Sequence, residues 1–148
     1  MADHKREQIL DATITTLNAL VTTAVDQVVR GRDTPYPLTV DKALSVYAGN
    51  DEPIENSGWD AIYSNLVIYV DIHVRTSSEQ IDTLINEVRK QVTIALFTDF
   101  TQGLSFVNDL TEESALEPEL EGSGEAVTGL MRVNFKYLYN RSYSDPSL

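Results

Sequence analysis

Asp71 and His73 stand two residues apart in the run Asn65–Arg75. Side chains at i and i+2 of a strand share a face, so the two could share a metal ion or work as an acid–base couple. Carboxylates for such a site are available in Asp109, Glu112, Glu113, Glu117, Glu119 and Glu121. Joined to Asp71 and His73, Glu112 or Glu113 would complete a small metal-dependent hydrolase. The spacing argues against it. The acidic run lacks the alternating Asp and the glycine that fix a calcium loop. Histidine occurs only at His4 and His73, too few for a spaced ligand motif. The stronger reading of Asp71 and His73 is the outward polar face of a strand, or a subunit contact. No phosphate-cradling glycine loop and no G-x-S-x-G nucleophile turn occurs among the 7 glycines. No catalytic, cofactor or metal residue is assigned, no cofactor is expected, and the chain is read as a non-enzyme.

A different chemistry, that of protein contact, is suggested at other positions. Asp51 and Glu52 lie in the turn-rich stretch Gly49–Gly58, which ends just before Trp59, the single tryptophan. Arg141 and Tyr143 lie beyond the last apolar alternation, and tyrosine with arginine is typical of contact surfaces. The interface candidates are therefore Asp51, Glu52, Trp59, Asp71, His73, Arg141 and Tyr143.

The elements that must position these residues are legible from periodicity. Ile68, Val70, Ile72 and Val74 alternate with Tyr69, Asp71, His73 and Arg75, which predicts a strand over 62–75 with one face on a core. A helix over 79–97 follows, with Ile81, Leu84, Ile85, Val88, Val92 and Leu96 on one stripe. Ser77 or Ser78 would cap it, with Glu79 and Asp82 in its first turn. Leu10, Ile14, Leu17 and Val21 predict an opening helix from Lys5 to about Thr22, capped by Asp3, its end weakened by two threonine pairs. His4 is placed in a mobile start. A short strand is expected over 25–30, then a glycine–proline loop over 31–37, a strand over 43–48 and a loop over 49–58. Leu104–Val107 reads as an edge segment. Residues 108–125 read as an acidic stretch, part strand and part mobile loop, 126–139 as the last strand and 140–148 as a polar tail. The sum is one α+β domain over 1–148, a mostly antiparallel β-sheet with two main helices packed on one face.

Composition narrows the function classes. Of 148 residues 42% are apolar, which is globular, and no apolar run reaches the roughly 20 residues a bilayer span needs. Cysteine is absent, which removes disulfides and thiolate–metal sites. With 23 acidic against 11 basic residues and a net charge of −12, the chain lacks the basic footprint of a duplex-binding protein. The charge serves solubility, or it repels nucleic acid that must pass without sticking. An acidic mimic of nucleic acid would need its charges laid along one face.

In order and content these pieces resemble one family. Arg6–Ala12 opens a first helix; a proline loop and a strand lead to Gly49-Asn-Asp-Glu52; Trp59-Asp60 precedes the long strand Leu66–Val74. A helix of the type Ile81–Val88 follows, then Val133–Tyr139 and the ending Arg141-Ser-Tyr-Ser-Asp-Pro146. This layout is similar to the small tail terminator proteins of tailed bacteriophages, the lambda type; residues 104–124 match no fixed pattern. The resemblance implies a structural virion protein at the head-proximal end of the tail, assembled in the host cytoplasm. It implies a hexameric ring that caps the tail tube, ends tube polymerisation and offers a head–tail joining surface. Implied partners are further copies of the chain, the tail tube protein and a head-side connector or stopper; DNA passes the lumen without specific binding, and no membrane is involved. Another neck or head-completion protein of the same virion shares these features.

Overall fold

The computed structural model describes residues 3–31, 40–58, 60–77, 80–123 and 126–148. Its elements are α1 (Lys5–Asn18), β1 (Gln27–Arg30), β2 (Lys42–Gly58), β3 (Ala61–Thr76), α2 (Ile81–Thr98), β4 (Val107–Ala115), β5 (Glu119–Ser123) and β6 (Ala126–Ser142). They form the expected α+β arrangement. One six-stranded sheet has the order β1-β2-β3-β6-β4, with β5 also on β6. Only β1 and β2 run parallel; every other pair is antiparallel.

The alternation in β3 sets the layers. Ile62, Leu66, Ile68, Val70, Ile72 and Val74 are buried on one face. Register places Leu44, Val46 and Ala48 of β2 beside Ile72, Val70 and Ile68. On the other flank Met131, Val133, Phe135, Tyr137 and Tyr139 of β6 continue the same face. The apolar stripe of α2, through Ile85, Val88, Val92 and Leu96, closes over it together with Ile9, Leu10 and Leu17 of α1. The opposite face carries Tyr47, Tyr69, Asp71, His73, Arg132 and Lys136 by the same register, and among the described residues no helix lies over it.

Four boundaries differ from expectation, each for a physical reason. α1 stops at Asn18 because the Leu20 carbonyl accepts the N–H groups of Thr23, Ala24 and Val25, which turns the chain, with Thr22 at a left-handed φ of 74°. Its cap is His4, not Asp3: Nδ1 of His4 accepts the Arg6 N–H at 2.9 Å. The stretch 49–58 is no loop but the second half of β2. Long pairing with β3 absorbs its turn-forming residues as register shifts after Ala48, Pro53 and Asn56. The cap of α2 is Gln80, which makes no side-chain cap bond. Ser78, Glu79, Trp59 and most of the proline loop lie outside the described residues.

The acidic stretch is strand over more of its length than expected, forming β4 and β5 along β6. Val107 and Leu110 are buried, and Glu112 and Glu113 are neutralised by Arg89 and Lys136, so pairing wins over charge repulsion there. The tail is likewise tied down. β6 runs to Ser142, Lys5 N–H bonds the Pro146 carbonyl at 3.0 Å, and Ser142 N–H bonds the Leu148 carbonyl at 2.8 Å.

Candidate functional site

Asp71 sits at the centre of the bare face because its register neighbours are Ser45 on β2 and Arg132 on β6. Arg132 grips it with both ends of the guanidinium fork, Nε to Oδ1 at 2.8 Å and a terminal nitrogen to Oδ2 at 3.2 Å. The Tyr47 hydroxyl donates to Oδ2 at 3.3 Å. The guanidinium carbon lies 5.3 Å from the Tyr47 ring centre and 5.0 Å from that of Tyr69, and the two rings are 5.2 Å apart. Room for Tyr69 comes from Gly49, where an added Cβ would stand 2.1 Å from the ring. Partial burial, and then the Asp71 charge, raise the Tyr47 hydroxyl pKa above its ordinary value. A tyrosine that holds its proton and a carboxylate engaged by arginine make a charge-compensated patch.

His73 lies on the same face between Ala43 and Leu130 and is only 7% exposed. Glu112 is bound to Arg89 of α2 and Glu113 to Lys136 of β6. The carboxylates proposed for a hydrolase are thus each held by a separate cation. Among the described residues no cluster of three or more His, Cys, Asp or Glu is placed to hold a metal.

Two other candidates converge elsewhere, at the C-terminal end of β6. Asp51 points to the helix side, where its Oδ2 accepts the Tyr139 hydroxyl at 2.7 Å. Tyr139 is fully buried, and burial first, then the Asp51 hydrogen bond and charge, push its hydroxyl pKa far up. Arg141, next on that face of β6, stands against the Tyr139 hydroxyl. His4 at the tip of α1 feels both Asp51 and Arg141, while burial is the largest cause of its lowered pKa. Lys5 beside it donates to the Asn140 carbonyl at 2.8 Å and lies 4.7 Å over the Phe106 ring; burial lowers its pKa. Glu52 is exposed on the bare side opposite Asn65, and Tyr143 is 50% exposed. Asp60, adjacent to Trp59, accepts from the Ser142 and Ser144 hydroxyls, each at 2.6 Å, and from Ser144 N–H at 3.0 Å. These bonds lower its pKa.

The sequence reading missed His4, Asp60, Tyr139 and Arg132 as organising residues. His4 has a local signal, since a polar residue directly precedes the apolar stripe of α1. For the others the partner is distant in sequence: Tyr139 and Asp51 are separated by 88 positions, and Arg132 and Asp71 by 61.

Neither a protein-family model nor a curated protein sequence matches the chain. Among solved structures it is similar to a chain from the virion of a native gene transfer agent particle. That match has 15% identity and a TM-score of 0.44, and it covers 94% of this chain and 95% of the other.

Proposed function

We propose that the chain is a structural virion protein of a tailed, phage-like particle. Six copies close into a ring on the tail tube, end its polymerisation and present a surface to a head-side connector or stopper. No covalent chemistry takes part. The observation that carries this reading is the plate formed by β2, β3 and β6, strands of 17, 16 and 17 residues in near-continuous register. At the rise of a strand such a plate is about 50 Å long. The longer helix, α2, spans about 27 Å. The sheet therefore outruns α2, and its other face, with no helix over it among the described residues, is charge-compensated around Asp71 and Arg132. Such a plate suits heterologous contacts, in which one surface of a subunit meets a different surface of the next. The net charge of −12 suits a lumen that DNA crosses without adhering. The sequence resemblance supplies the assignment to the tail terminus. A hydrolase would need Asp71, His73 and Glu112 or Glu113 around one pocket, and the separate ion pairs hold them apart.

The test is native mass spectrometry of the concentrated protein with electron microscopy of the same sample, then addition of purified tail tubes. Closed six-fold rings, or caps at one tube end, are expected. Ile54→Asp, at a half-exposed position of the β2–β3 hairpin, should lose them while keeping its fold. A protein that stays monomeric and leaves both tube ends bare sinks the reading.

A further inference from the structure

We propose that the bare face along β5 is a docking groove for an extended, basic segment of another protein. Two adjoining hollows of about 200 and 410 Å³ open there, sharing Glu119 and Leu130. The first is lined by Asp71, Leu116, Glu117 and Arg132 besides the shared pair. The second adds His73, Leu120, Glu121 and Thr128. Leu116 is 55% exposed and Leu130 41%, so the groove has an apolar lining open to solvent.

Its rim is acidic in a particular way. Asp71, Glu112 and Glu113 each have a cation within the chain. Glu117, Glu119 and Glu121 have no ion-pair or hydrogen-bonding partner among the described residues. An apolar lining with uncompensated carboxylates fits a partner that alternates apolar residues with lysine or arginine. An extended form follows from the groove, because the two hollows lie end to end along β5 and β6 and share Glu119 and Leu130. A second copy meeting the groove with its own β5 is the wrong occupant, because the same three carboxylates would then face each other. The groove is defined by its own residues, and its test is separate from that of the ring.

The probe is a short peptide alternating lysine and valine, titrated into the ¹⁵N-labelled full chain, with the matching glutamate–valine peptide as control. Binding of the lysine peptide alone is expected, with amide shift changes confined to residues 116–121 and 128–132. Affinity should fall about tenfold or more in the combined Glu117→Gln, Glu119→Gln, Glu121→Gln variant, and also with added salt. Leu116→Ser should weaken binding without changing the circular dichroism spectrum. No binding, equal affinity for the glutamine variant, or shift changes on another face would each overturn the proposal. So would sedimentation showing that Leu116→Ser breaks up a dimer, because the occupant would then be a second copy.

Discussion

The two ends of β6 are built on opposite terms. At its C-terminal end polar groups are locked: Asp51 on Tyr139, Asp60 on Ser142 and Ser144, and Lys5 on Asn140. Near its N-terminal end Glu117, Glu119 and Glu121 stand unpaired among the described residues, beside exposed Leu116, Leu120 and Leu130. In sequence the two ends differ in kind, serine-rich after Asn140 and glutamate-rich over 117–121. The difference lies in what each meets across the sheet. The C-terminal end meets the start of α1 and the returning tail, which bring donors. At the β5 end α2 brings the apolar Ile81 and Ile85 against Gly129, and these offer the glutamates no donors. The C-terminal end is knit by several internal bonds, although Asp51 Oδ1, Ser64 Oγ and Arg141 Nε there find no hydrogen-bond partner among the described residues; the β5 end leaves exposed carboxylates with bonding capacity for a partner.

That contrast can be broken by measurement. Tyr139→Ala removes a fully buried aromatic from the locked end and should cost about 3–5 kcal/mol in urea unfolding. Leu130→Ala at the open end should cost less than about 1 kcal/mol. Equal costs would erase the distinction.

Alkaline pH should reach the locked layer next. Burial pushes the Tyr137 hydroxyl from 10.0 up to about 12, and it lies 2.9 Å from the Thr13 hydroxyl. Because the folded pKa is raised, the unfolded chain loses this proton first. The contribution is complete below pH 10 and is lost as pH climbs to about 12. Its slope there is at most about 1.4 kcal/mol per pH unit, and Tyr137→Phe should remove it from the denaturation profile.

On the bare face, Asp71→Ala should cost about 1 kcal/mol, since the pair with Arg132 is partly exposed. The tryptophan-independent near-ultraviolet signal of Tyr47 and Tyr69 should change with it, and an unchanged signal would mean the ring pair does not depend on Arg132. The smallest and most local effect is expected for Asp60→Asn. Amide exchange over 142–148 should quicken while the midpoint of global unfolding stays put. In the unsubstituted chain the same segment should loosen as pH falls below the ordinary aspartate value of 3.8. A carboxylate with a lowered pKa gives its support above that value and loses it on protonation. Slow exchange in the Asn variant would place the anchor elsewhere.

The parts of the molecule that repeat with a fixed period were determined by the sequence itself. Ile68 to Val74, Met131 to Tyr139 and Ile85 to Leu96 each state which face is buried, because strand and helix periods leave a local imprint. From these come the α+β class, the single sheet and the side on which the helices lie. Tertiary structure alone decided the rest. Gly49–Gly58 carries turn residues yet runs as strand, since β3 offers a full-length partner. The acidic stretch after Val107 became β4 and β5 because β6 supplied an edge and Arg89 and Lys136 supplied charge. Asp71, next to His73 on one strand face, is engaged by Arg132, which only register brings alongside. Asp51 and Arg141 were brought together around Tyr139 across 90 positions of chain. Periodicity is a local property and can be read along the chain. The partner of a charge or a hydroxyl is chosen by which strands lie side by side, and that is fixed only when the sheet closes.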